Sequence, residues 1–139
     1  ADRKALVAGV REGVIDAIVS QHLPHDSAAK QAPLPATEPG LSSIESVLSL
    51  GLSLVKRGEL ALSDLVRGLT SGPASVIGRV ASIGHDDIAD LCVFDPKAHW
   101  TPDDQSLISA GRHAPVIGQA LAGVVRLTLV EGQEAWVSA

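Results

Sequence analysis

The residues with the strongest claim to chemistry lie in Asp16-Ala17-Ile18-Val19-Ser20-Gln21-His22-Leu23-Pro24-His25, which holds two of the chain's five histidines. An apolar run that fits a buried strand ends in Gln21, His22 and His25, and polar side chains at the carboxyl end of such a strand form one wall of a site. Imidazoles bind metals and move protons. His22-x-x-His25, with Asp26 beside it, has the donors of a metal site, but Pro24 interrupts the segment and the two rings need not converge. The better-founded reading makes both histidines polar residues that line a pocket, with no metal assigned to them. Gln21 limits the site further, because its amide is neutral, does not titrate in the useful range and offers a single carbonyl oxygen as a poor ligand. Asp16 stands at the opposite end of the run, and Asp26 reads more ordinarily as a solvated residue or an Asx turn. Neither replaces a carboxylate at position 21.

The elements around this segment follow from periodicity. Residues 2 to 12 place Leu6, Gly9 and Val10 on one side at helical spacing, with Asp2 as a cap and Gly13 as the stop. The apolar centre of 16–20 then suits a strand covered on both faces, as in a parallel sheet. From Gln21 to Gly40 the chain lacks periodicity and carries Pro24, Pro33, Pro35 and Pro39, the mark of a functional or mobile connection. Ser42-x-x-Glu45 reads as a capping box opening an amphipathic helix with Ile44, Val47, Leu48, Leu52 and Val55, ended by Gly58. Ser63 is expected to cap a helix carrying Leu65, Val66 and Leu69, and Ser71-Gly72-Pro73 a short one closed by Gly78. Beyond Arg79 the pattern turns to strands at 88–95, ended by Pro96, and at 123–130, where Val125, Leu127 and Leu129 alternate. Glu131-Gly132-Gln133 turns the latter into a hairpin with 134–137. Trp100-Thr101-Pro102 and Gly111 to Gly118 read as irregular connections, and the shift in character places a domain boundary near residue 80.

The 139 residues suffice for one domain, and the composition, 45% hydrophobic with 2% aromatic, calls for a core of Leu, Val, Ile and Ala. A net charge of −5 without a basic run argues against a nucleic-acid surface. No apolar stretch reaches the ~18–20 residues of a membrane span, and no signal region is visible, so a cytoplasmic location is the default. The single cysteine, Cys92, sits in an apolar run and reads as a small buried hydrophobe. The absence of methionine also fits a fragment whose amino-terminal part is missing.

Ile18-Val19-Ser20-Gln21-His22-Leu23-Pro24-His25 resembles the last barrel-strand motif of the dihydroorotases, in the amidohydrolase superfamily, where the pattern is Asp-His-x-Pro-His. The likeness continues through Ala32-Pro33, Gly40-Leu41-x-x-Ile44-Glu45, Pro73-Ala74 with Gly78, Ala89-Asp90-Leu91 with Phe94-Asp95, and Gly123-x-Val125. The motifs are individually weak and jointly specific. The resemblance implies an α/β chain that begins late in its parent: residues 1–79 as the last part of a (β/α)8 barrel and 80–139 as strands of a small β-sandwich. The amino-terminal remainder, with the family's His-x-His pair and bridging lysine, is then the first partner. A lone barrel strand points the same way, since its edge and faces stay exposed unless another segment covers them.

In an active relative the aspartate at the end of that strand binds a metal, takes a proton from the metal-bound hydroxide and passes it to the leaving nitrogen. The matching residue is Gln21. Losing such a base lowers rates on the order of 10²–10⁴-fold. The resemblance assigns His25 to the substrate carboxylate. Where relatives have Ala-Pro-Phe-Gly, with backbone N–H groups on that carboxylate, this chain has Ala32-Pro33-Leu34-Pro35, and Pro35 has no N–H to offer. The loop between His25 and Ala32 is also several residues shorter than usual. The leading expectation is therefore a non-catalytic, dihydroorotase-like protein without a cofactor. It would act as a scaffold in a hetero-oligomer with the catalytic chains of aspartate transcarbamoylase. The alternatives are an active cyclic amidohydrolase that uses zinc and another proton shuttle, or an independent small α/β interaction domain.

Overall fold

The computed structural model describes residues 2–26 and 28–138. Among the described residues four α-helices, α1 (Asp2–Arg11), α2 (Val47–Lys56), α3 (Leu62–Leu69) and α4 (Ser71–Val76), precede three strands, β1 (Leu91–Trp100), β2 (Leu121–Val130) and β3 (Gln133–Val137). The helices fall close to where periodicity places them, but their caps differ. Asp2 lies inside the first turn of α1. Ala61, not Ser63, is the residue before α3. Residues Ile44–Ser46 form a 3-10 turn leading into α2, and Ile44 is 55% exposed rather than part of the helix's buried face.

The core is aliphatic, as the composition requires: Val10, Leu52, Leu60 and Leu65 cluster, with Ile15, Ile18, Leu48, Leu69 and Phe94 packed around them. Leu65 is fully buried, which contributes about 1.5–3 kcal/mol of hydrophobic stabilisation. Val66, next to it on α3, is 38% exposed.

The run read as a buried strand, 16–20, forms no strand ladder among the described residues; Ile18 N–H bonds the Gly68 carbonyl at 2.7 Å and, further on, Leu23 N–H bonds the Leu41 carbonyl at 3.0 Å. A single parallel bridge pairs His22 with Leu41. The reason is partnership. A parallel strand needs neighbouring strands, whereas here helices lie against the run. A Cβ on Gly68 of α3 would stand 3.0 Å from Ile18 Cδ1, and one on Gly72 of α4 would stand 1.9 Å from the Asp16 carbonyl oxygen. Val14 and Val19 are left 75% and 69% exposed, so the run is half covered.

The strands form an antiparallel sheet in the order β1-β2-β3. Pro96 does not end β1: pairing breaks after Asp95↔Val124 and resumes at His99↔Ala122, so Pro96 sits in a bulge, where its missing N–H breaks no ladder bond. Glu131 (φ 51°) and Gly132 (φ 78°) make the tight turn between β2 and β3, the backbone pair that matches strand twist in a two-residue hairpin. Cys92 is exposed, against expectation. It lies on β1, which has a partner strand on one side only. Helix α2 packs on the sheet through Ser49, whose Oγ donates to the Gly123 carbonyl at 3.3 Å and accepts Trp100 Nε1–H at 3.1 Å.

Candidate functional site

Gln21 closes the 15–21 run in a left-handed backbone conformation, φ 51°, unusual for a residue with a Cβ and worth on the order of 1 kcal/mol of strain. Its side chain is exposed and makes no hydrogen bond among the described residues. The amide thus faces solvent at the place where the sequence argument seeks a carboxylate.

His22 has a structural task that the sequence did not reveal. Its Nδ1 accepts the N–H groups of Ser43 (3.1 Å) and Ile44 (3.3 Å). These are the donors at the start of the 3-10 turn that runs into α2, and such first-turn donors have no partner within the helix. The expected capping box does not form. Ser42 Oγ donates to the Gly111 carbonyl at 2.5 Å instead, and Glu45 accepts the N–H groups of Ile108 and Ser109 at 3.0 and 2.9 Å. The cap comes from 21 residues upstream, and it fixes the tautomer with Nδ1 free of hydrogen and Nε2 protonated. Ser43 Oγ adds a bond to the Ser20 carbonyl at 2.7 Å, binding the run to the helix start on both sides of Gln21.

His25 Nε2 lies 2.9 Å from the Pro39 carbonyl oxygen. An acceptor-only partner makes Nε2–H the donor. In its neutral form the ring then offers only an Nδ1 lone pair, so an anion meets a donor only if the ring is protonated or leaves Pro39. Asp26 Oδ1 accepts Ala29 N–H at 3.0 Å and initiates the 3-10 turn Ala28–Lys30, the local turn role read from its position. Residues 28–39 are organised by turns where the sequence indicated no periodicity. A second 3-10 turn spans Leu34–Ala36, Glu38 N–H reaches Ala29 at 3.2 Å, and Lys30 Nζ bonds the Glu38 carbonyl. Pro35 lies in that second turn, exposed.

The structure therefore brings Gln21, His22 and His25 together with Pro39, Leu41 and Ser43, while Pro35 stands on the outer part of the loop. As a zinc site this segment is poor: Gln21 is a neutral amide, His22 Nδ1 is taken by the helix start, and His25 Nδ1 is the one ring lone pair that the described bonds leave over. Among the described residues no three His, Cys, Asp or Glu side chains converge in a way that could hold a metal. The carboxyls held below their ordinary range lie elsewhere. Asp95 is lowered first by the backbone N–H groups of Lys97 and Ala98 and then by Arg126, Asp103 by the N–H groups of Ser106 and Gln105, and Glu59 by Arg3 ahead of Arg57. No helix among the described residues is long and apolar enough to cross a membrane.

Comparison with known structures gives the class. A D-hydantoinase matches with a TM-score of 0.83 at 21% identity, over 96% of this chain and 31% of that one. The fold is thus that of a segment of the D-hydantoinase chain. Sequence relatives narrow it. A dihydroorotase-like protein of Pseudomonas putida is 46% identical over 132 residues, covering 94% of this chain and 31% of the relative. A dihydroorotase of Thermoanaerobacter sp. is 34% identical over 133 residues, again 31% of its length. No protein-family model matches the sequence. The relatives support the dihydroorotase family for this chain, which spans about a third of their length.

Proposed function

We propose that the chain is a carboxyl-terminal part of a dihydroorotase-like protein that does not catalyse. In this reading residues 1–79 complete a (β/α)8 barrel and 80–139 belong to a β-sandwich, with the amino-terminal remainder covering the exposed side of 14–20. The observation that carries the proposal is Gln21: a neutral, solvent-facing amide without a hydrogen bond among the described residues, at the position where the reaction needs a metal-binding carboxylate that shuttles a proton. The engagement of His22 Nδ1 by the helix start supports it, since that nitrogen, next in sequence to Gln21, is taken up by the Ser43 and Ile44 N–H groups. The role retained is then structural: a scaffold in a hetero-oligomer with the catalytic chains of aspartate transcarbamoylase, in the cytoplasm and without a cofactor.

The second reading, an active zinc-dependent dihydroorotase or related cyclic amidohydrolase, draws on relatives that bear the name dihydroorotase. Zinc content and dihydroorotate turnover of the complete protein separate the two. The proposal expects no stoichiometric zinc and no turnover, and zinc at one per chain or more with clear turnover refutes it.

A further inference from the structure

We infer that the connection between β1 and β2, at residues 107–113, forms a second wall of the Gln21–His25 site, and that Glu45 and Ser42 are the positioning residues that hold it there. The inference deepens the reading above and rests on its placement of the site at 21–25.

Four bonds from the start of α2 hold this connection. The Glu45 carboxylate accepts Ile108 N–H at 3.0 Å through one oxygen and Ser109 N–H at 2.9 Å through the other. Bonds to an ionised acceptor are about twice as strong as neutral ones. The buried Ser42 donates from Oγ to the Gly111 carbonyl at 2.5 Å, and its N–H donates to the His113 carbonyl at 2.9 Å. Between these anchors Gly111 is buried against the site: a Cβ there would stand 2.5 Å from Pro24 Cβ and 3.1 Å from the His25 nitrogen. Only a residue without a side chain permits that approach. Arg112 bonds the Leu107 carbonyl and closes the connection on itself. His25 is therefore held from two sides, by the Pro39 carbonyl on its ring and by Gly111 on its backbone. A pair that looked like a local capping box instead joins the helix start to a segment more than 60 residues away.

The test uses the complete protein with 15N-labelled histidine, and reads the His25 ring signals together with hydrogen exchange at Ile108 and Ser109. In Glu45→Ala, exchange at those two amides is expected to speed up by about tenfold or more, and the His25 signals to shift. Glu45→Gln keeps one acceptor oxygen and moves both readouts less, in the same direction. Gly111→Ala shifts His25 while α2 keeps its protection. Ser49→Ala, which breaks the other link between α2 and the sheet, leaves His25 and both amides unchanged. Unmoved His25 signals in Glu45→Ala and Gly111→Ala, or an equal shift in Ser49→Ala, overturn the inference. Zinc and turnover play no part in these readouts, so an active zinc enzyme would refute the proposed function and leave the wall standing.

Discussion

Replacing His22 separates a cap from a metal ligand, because the two roles fail in different ways. Two N–H···N bonds of 3.1 and 3.3 Å are lost in His22→Ala. Each ordinary bond contributes about 0.5–1.5 kcal/mol net, but these share one lone pair, and both are longer than the usual ~2.9–3.0 Å. The Ile44 residue is 55% exposed, so water can take over its N–H. The half-buried Ser43 N–H has less access, and its desolvation keeps the loss near the usual value for a helix cap, about 1 kcal/mol. Local opening at Ser43 and Ile44 should then rise roughly five- to tenfold, since ~1.4 kcal/mol is a factor of ten. His22→Asn places an amide oxygen near the position of Nδ1 and should recover most of the protection. The assay is hydrogen exchange at the two amides in metal-free protein, with urea unfolding beside it. Unchanged protection in His22→Ala, or equal damage in His22→Asn, refutes the cap; loss of bound zinc with no change in the metal-free protein would establish a ligand instead.

On the proposed reading, Gln21→Asp alone should not give turnover, because the His22 acceptor remains tied to the helix start; a rate approaching that of an active dihydroorotase would refute this. Gln21→Gly removes the Cβ from a φ of 51° and should stabilise the metal-free protein by up to about 1 kcal/mol, less the entropy that glycine adds to the unfolded chain; a fall in the unfolding midpoint would show that the strain is smaller than that entropic cost. At Asp95 the folded carboxyl lies below its ordinary value of 3.8, chiefly through the N–H groups of Lys97 and Ala98. The contribution of the charge is therefore complete above that ordinary value, and it is lost as the pH falls through the lower folded value. Asp95→Asn should be less stable than the parent at neutral pH and match it in strong acid, and a difference in unfolding midpoint that does not shrink on acidification contradicts the assignment.

Period and punctuation made the secondary structure readable wherever a residue's fate depends on its near neighbours. Gly13, Gly58 and Gly78 end helices with φ of 72°, 69° and 70°, and Glu131-Gly132 turns a hairpin, because these are local backbone requirements. The same logic failed at Pro96. A proline ends a strand only if its N–H is needed, and a bulge one residue after Asp95 removes that need. It failed at Cys92 because an apolar run says nothing about which sheet faces find a cover.

The site shows the larger gap between pattern and structure. Ser42-x-x-Glu45 satisfies the capping-box spacing, yet both side chains turn to residues 63 to 69 positions away, and the cap comes from His22. A local motif is a statement about which partners are close in sequence, and here the closer partners in space come from the 15–25 run and from the β1–β2 connection. An acceptor at the helix start satisfies the Ser43 and Ile44 donors just as well from His22, which frees Ser42 and Glu45 to hold the connection. That exchange links Gln21's neighbour, the helix and the far wall in one hydrogen-bonded set. A frame held in this way depends on none of the chemistry of residue 21, so an aspartate there can give way to glutamine while the surrounding bonds persist. On the proposed reading, helix start, loop and sheet connection then keep the shape of the site for the stability that these bonds supply.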